Sequence, residues 1–162
     1  MRKNFGPKPF LYPQPVMVIA SCGKDGTPDA MNAAWGGIAG GDKIFLCLSS
    51  NHKTVENILE RKAFTVSVAD EAHLVEADYV GLVSGNDVPD KLERSGFHVT
   101  RSEFVGAPVI DELPLVLECR LVSYDPNTHF MVGEIVNAGA DEAILDDAGM
   151  IDPAKLKPLT FD

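Results

Sequence analysis

Residues 115–124 and 130–136 are two strand-length runs, L-V-L-E-C-R-L-V-S-Y and F-M-V-G-E-I-V, separated by Asp125-Pro126-Asn127-Thr128. Proline presets the φ that the second position of a tight turn needs, and Asp or Asn side chains can bond the turn backbone. The two runs are therefore predicted to pair as an antiparallel hairpin. That commits the longest regular segments of the chain to an antiparallel sheet. Shorter runs can join it. Residues 16–22 (V-M-V-I-A-S-C) read as a continuous apolar strand, closed by Gly23-Lys24-Asp25-Gly26. Residues 30–35, made of small side chains ending in Trp35, read as the second arm of a hairpin across G-K-D-G-T-P. Residues 43–49 and the alternating 63–69 (A-F-T-V-S-V-A) follow, with a brief strand at 97–100.

Helical spacing is confined to insertions between these strands. Residues 54–61 place Val55, Ile58 and Leu59 on one face, residues 71–83 turn helical, and 89–95 form a short helix ended by Gly96. The regular βαβ alternation of a doubly wound fold is missing. The W-G-G-I-A-G-G run does not match G-x-G-x-x-G and leads into a strand, which rejects a dinucleotide-binding fold. The expected class is mainly β with inserted helices (α+β), a small barrel with helical additions. A length of 162 residues suits a single domain over 1–162 with a sizeable core. Residues 1–15, with prolines at 7, 9, 13 and 15, should be an extended arm laid over the surface or a partner.

The formal charge of −10 excludes a nucleic-acid binder, which needs a basic face, and argues against docking on anionic membranes. No stretch approaches the roughly 20 apolar residues of a membrane span. Prolines interrupt any signal-like run after Arg2 and Lys3. Cys22, Cys47 and Cys119 are odd in number, far apart and without a CxxC, so buried free thiols in a reducing cytoplasm are expected rather than a redox pair.

The segment 29–54 holds what chemistry the residues suggest. Ser49-Ser50-Asn51-His52-Lys53-Thr54 ends a strand and begins a helix, where free N–H groups, hydroxyls and a lysine suit a phosphate. The plainer reading is that Thr54 is an N-cap, and on spacing alone it is the stronger of the two. Small residues beside Trp35 suit a flat ring, or simply a packed core indole. By the same standard His129 is a solvated turn residue and Lys91 an exposed helix start. No histidines lie at metal spacing, and there is no G-x-S-x-G elbow. His73 and Glu76 share a helical face, which does not make a metal site. From the residues alone, the chain is a barrel-like domain with a candidate phosphate-and-ring pocket.

The segments D-G-T-P-D-A-M-N-A-A-W, L-S-S-N-H-K-T-V-E-N-I, V-S-G-N-D-V-P-D-K-L-E-R-S-G, L-P-L-V-L-E-C-R-L and T-H-F-M-V-G-E-I-V, in this order, resemble the flavin reductase-like, FMN-binding split-barrel family, most closely its flavoredoxin-like branch. The resemblance runs from about Pro15 to Phe161. It implies a Greek-key split β-barrel, a homodimer, and FMN, in preference to FAD, near the subunit interface. Ser49, Ser50, Lys53 and Thr54 match the phosphate-holding segment, and Asn32, Ala33, Ala34 and Trp35 the strand along the flavin ring. Lys91 matches a lysine reaching toward the flavin, His129 a histidine facing the ring region, and Phe161 an aromatic covering the cofactor. Two positions depart from the pattern. Lys53 stands where arginine is frequent, a point charge instead of a planar fork. Asp29, also assigned to the cofactor site, stands where asparagine is common, and an ionised carboxylate there would disfavour negative charge on the reduced ring.

The implied activity is that of an FMN-dependent oxidoreductase, which takes reducing equivalents onto the flavin and passes them to an acceptor, with NADH or NADPH as candidate donor and a redox protein as candidate partner. The alternative is a non-catalytic electron carrier or sensor module on the same barrel. A barrel that has lost its cofactor is the third reading.

Overall fold

The hairpin expected around residues 125–128 lies in the middle of the sheet. In the computed structural model, which describes residues 1–162, the strands are β1 Gln14–Pro15, β2 Met17–Cys22, β3 Pro28–Ala33, β4 Gly36–Ile38, β5 Lys43–Cys47, β6 Ala63–Val68, β7 Val99–Arg101, β8 Pro108–Ile110, β9 Leu115–Asp125, β10 Phe130–Ala140 and β11 Thr160–Phe161. The helices are α1 Lys53–Arg61, α2 Leu74–Leu82 following a 3-10 turn at Glu71–His73, α3 Lys91–Ser95 and α4 Pro153–Leu156. Asp125 closes the central hairpin as its residue type requires, accepting from the Asn127 N–H at 2.9 Å and the Thr128 hydroxyl at 3.0 Å. Those bonds hold its carboxyl below the usual carboxylate range.

Seven strands hydrogen-bond in the order β3-β2-β6-β9-β10-β5-β4, with every pairing antiparallel. The two edge strands, β3 and β4, are consecutive in sequence and joined only by Ala34 and Trp35. In a flat sheet, strand spacings of about 4.8 Å would put those edges about 29 Å apart. The linker reaches only about 11 Å from Ala33 to Gly36. The sheet therefore has to curl on itself, with its seam at Ala34–Trp35. This is the split β-barrel of Greek-key type that the sequence led us to expect. Register shifts in the β9–β10 ladder, at Val132/Gly133 and Ile135/Asn137, bend the longest pair around the curve.

β2 explains why its sequence is apolar without alternation. Met17 and Ile19 enter the barrel core with Met31, Leu46, Val55, Ile58, Phe64 and Met131. Val18 and Ala20 face a second core, formed with Ala30, Ala77, Val80, Leu92, Phe97 and Ile110. The strand is thus buried on both faces, between the barrel interior and the layer of α2 and α3. α1 sets Val55 and Ile58 into the barrel core as its periodicity predicts.

Several local expectations change. The small-residue strand is Pro28–Ala33, not 30–35, because the chain leaves the sheet at Ala34 to cross the seam. The brief strand expected at 97–100 is Val99–Arg101, paired with β8, which the sequence reading did not anticipate. The proline-rich arm is exposed up to Pro13, and then Gln14–Pro15 pairs with Thr160–Phe161, tying the two ends of the chain together. Of the three free cysteines only Cys119 is fully buried, where desolvation raises its thiol to about 12, while Cys22 and Cys47 are half-buried. No helix is long and apolar enough to cross a membrane.

Candidate functional site

Period-two alternation along β3 turns Ala30 and Asn32 toward α2, and Asp29 and Met31 toward the barrel interior and α1. Asp29 is 5% exposed. Its Oδ2 accepts the hydroxyl of Thr54, itself 1% exposed in the first turn of α1. Thr54 is therefore not the N-cap. That position belongs to His52, which makes no side-chain capping bond. The threonine hydroxyl, with one proton to give, is engaged inside the protein. The backbone N–H groups of Lys53, Thr54 and Val55 find no acceptor in the protein, so this helix start keeps open donors and its partial positive charge.

Lys91 opens α3, and the sequence suggested an exposed side chain. It is 3% exposed instead. Its Nζ donates to the carbonyls of Val83 at 2.9 Å and Val80 at 3.2 Å, closing the C-terminal end of α2, where a cation is electrostatically favoured. The same Nζ lies 3.2 Å from Asp29 Oδ1, an ion-pair contact outside hydrogen-bond geometry that leaves Oδ1 without a donor. Breaking such a buried pair by removing one partner costs about 3–5 kcal/mol. Two glycines make room for these side chains. A Cβ on Gly85 would overlap the Asp29 carboxylate, and one on Gly81 would overlap the amide of Asn32, whose Nδ2 donates to Ala77 O at 3.1 Å.

Two clefts meet here. A polar one of about 410 Å³ includes Asn32, His52, Lys53, Thr54, Gly85 and Lys91 in its lining. A largely apolar one of about 580 Å³ runs along Asn32, Ala33, Ala34 and Trp35 to Leu82 and Phe161. Asn32, Gly81 and Leu82 line both, so the clefts adjoin. Each volume is that of an ordinary small-ligand pocket. Asp29 opens onto a third hollow, which it shares with Lys53 and Gly85 and which no large apolar side chain lines. The His52 imidazole is held below its ordinary pKa, first by burial and then by the Lys91 charge, with Asp29 acting in the opposite sense.

The structure thus gathers Asp29, Asn32, Ala33, Ala34, Trp35, Lys53, Thr54, Lys91 and Phe161 around adjoining clefts. Ser49, Ser50 and His129 line none of the three. They lie beside the β9–β10 turn, where the His129 carbonyl accepts from Leu48 N at 2.9 Å and Tyr124 Oη donates to Leu48 O at 2.9 Å. His129 is not the solvated turn residue expected from its position. It adopts a left-handed φ of 62° and buries an Nδ1 that has no partner. Sequence reasoning passed over His52, Gly81 and Gly85. Gly85 was within reach, since it lies in V-S-G-N-D-V-P-D-K-L-E-R-S-G, one of the segments that carry the family resemblance. Asn86 of that loop donates to Asn51 O at 3.2 Å and fastens it to the start of α1.

Comparison with known proteins places this geometry. Flavoredoxin of Desulfovibrio vulgaris (Miyazaki F) superposes with a TM-score of 0.94 at 34% identity, over 99% of this chain and 88% of that one. A flavoredoxin from Methanosarcina acetivorans follows at 0.89 and 31%, over 100% and 87%. Among curated sequences, an uncharacterized protein of Aquifex aeolicus is 26% identical over 93% of this chain and 81% of its own length. A family model described as "Flavin reductase like domain" matches residues 10–161. That match covers nearly every residue used above, and the chain belongs to the flavin reductase like domain family.

Proposed function

We propose that the adjoining clefts hold one FMN molecule and that the protein is a flavin-dependent oxidoreductase. The observation that carries this reading is the shared wall at Asn32, Gly81 and Leu82. There a slot lined by small residues, Trp35 and Phe161 runs into a polar cleft at a helix start with open N–H groups. The residues present fit such a ligand. The apolar slot suits a ring, and the free N–H groups of Lys53, Thr54 and Val55 suit an anion. Gly81 and Gly85 leave room at the wall for the Asn32 and Asp29 side chains, which a Cβ at either position would overlap. When bound, the flavin supplies the redox chemistry. The chain binds it, covers it and excludes water. Lys53 is the phosphate contact in this reading, adding a point charge to the helix end while Asn32 and Trp35 flank the ring.

A second copy of the chain belongs to the proposal. Ser49, Ser50 and His129 stand away from the clefts, yet His129 keeps a buried nitrogen without a partner. An adjacent copy would bring His129 to its neighbour's ring and complete the site.

The purified protein should be yellow, and the pigment released on denaturation should chromatograph as FMN. Lys53→Ala should lose most of the colour and raise the FMN Kd at least tenfold, with Thr54 left in place because its hydroxyl is engaged by Asp29. Full FMN retention in Lys53→Ala would sink the phosphate assignment. NADH or NADPH is the donor tested first. Anaerobic bleaching by either nucleotide supports a reductase, whereas reduction only by a redox protein points to a carrier.

A further inference from the structure

Each lysine that lines the polar cleft is matched by a carboxylate of this same chain. Lys53 Nζ lies 3.0 Å from Glu56 near the surface, and Lys91 Nζ lies 3.2 Å from Asp29 in the interior. The inner pair differs in kind from the outer one. An ammonium has three hydrogens, and Lys91 faces three protein oxygens, those of Val80, Val83 and Asp29. Both members are almost wholly buried, so water screens neither. Asp29 carries an Oδ1 that no hydrogen bond repays, although its cavity, cleared by Gly85, would hold a neutral amide of the same shape. The carboxylate is thus not needed to fill space or to receive the Thr54 hydroxyl. What it adds over an amide is charge.

We propose that Asp29 is a positioning residue that acts through Lys91. By matching the ammonium inside the protein, it withholds that positive charge from the cleft and lowers the reduction potential of the bound flavin. This rests on the flavin reading above. Reduction adds electrons to the ring, and an unmatched cation nearby favours the added negative charge. A matched pair offers little net charge in either direction. The family resemblance implied a contact of Lys91 with the flavin and named no partner for it. The structure makes it half of a pair whose other half, Asp29, lies 62 positions earlier in the chain.

The test compares the FMN midpoint potentials of the wild type, Asp29→Asn, Lys91→Met and the double variant, alongside the His52 titration in FMN-free protein. Asp29→Asn should bind reduced over oxidised FMN about tenfold more favourably than the wild type, which is about 30 mV upward for a two-electron couple. The double variant, again without net charge, should return toward the wild-type potential. If the single amide variant does not fold, Lys91→Met against the double variant reads the same Asp29 charge. In the FMN-free protein, Asp29→Asn should lower the His52 pKa further, because the Lys91 charge then acts unopposed, and Lys91→Met should raise it. An unchanged or lowered potential in an FMN-binding Asp29→Asn protein overturns the inference alone, and so does an unmoved His52. A wild type that binds no FMN overturns the flavin reading and takes this inference with it.

Discussion

At the scale of single residues, the site depends on missing atoms as much as on present ones. Gly81 lies on α2 where the Asn32 side chain packs directly against the helix backbone. Gly81→Ala should push the Asn32 amide off Ala77 O and narrow both clefts at their shared wall. A cost of roughly 1–3 kcal/mol is expected for such overpacking. At this chain length that lowers Tm by several degrees, and FMN affinity should fall with it. Adding Asn32→Ala removes the obstructing side chain, so the double variant should regain stability relative to Gly81→Ala, a coupling measurable by thermal denaturation. Strict additivity of the two substitutions would contradict the overlap. Such contacts are hard to read from a sequence. The pairing of Asp29 with Lys91, and of Asn32 with Gly81, spans long stretches of chain and leaves no local spacing to detect. Resemblance named Asp29, Lys91 and Thr54 as site residues, yet nothing in their neighbours told that Thr54 bonds Asp29 or that Lys91 is buried. A polar residue at a helix start is usually solvated, and these two are exceptions created by the layers above them.

At the scale of elements, what was legible had a period. β6, the apolar face of α1 and the turn chemistry at Asp125 each follow from local rules and each appears in the structure, although β6 is buried on both faces, its polar Thr65 and Ser67 included. What was missed had no period to show. β8 is three residues long, and its partner β7 is no longer. The loop between them is held by Glu118 of β9, which is 5% exposed in the run L-V-L-E-C-R-L. Glu118 accepts the Ser102 hydroxyl through one oxygen and Asn137 Nδ2, at 2.7 Å, through the other. Ser102 Oγ in turn accepts from the N–H groups of Phe104 and Val105, each at 2.9 Å. One carboxylate thus ties the β7–β8 loop to both long strands. Glu118→Ala should cost about 1–3 kcal/mol by stranding those buried donors, with a lower Tm and faster amide exchange at Phe104 and Val105. Glu118→Gln, which keeps one acceptor, should lose less. Equal losses in the two variants would mean that the side chain only fills space.

At the scale of the whole molecule, the barrel follows from one short linker. Two residues between the edge strands force closure, and that closure also turns one face of β4, β5 and β10 outward with no helix over it. Alternation places Trp35, Phe45, Cys47, Phe130 and Val132 on that face, and the Phe45 and Phe130 rings meet edge to face at 5.0 Å. Trp35 and Phe130 flank Cys47 on this face and are 52% and 49% exposed, which is unusual for large aromatics on one sheet face. A second copy of the chain is the occupant that the proposed function requires, because this face lies next to His129 and carries Trp35 of the ring slot. The wild type should therefore sediment at twice the 17.5 kDa chain mass at micromolar concentration. Phe130→Glu, on a side chain half in solvent, should leave the monomer fold intact and shift the equilibrium to monomer by desolvating a charge at the interface. If His129 completes the site from the neighbouring copy, the monomeric variant should also bind FMN at least tenfold more weakly, and raising its concentration should restore both association and colour together. A monomeric wild type that binds FMN fully would separate the two properties and assign the whole site to one chain.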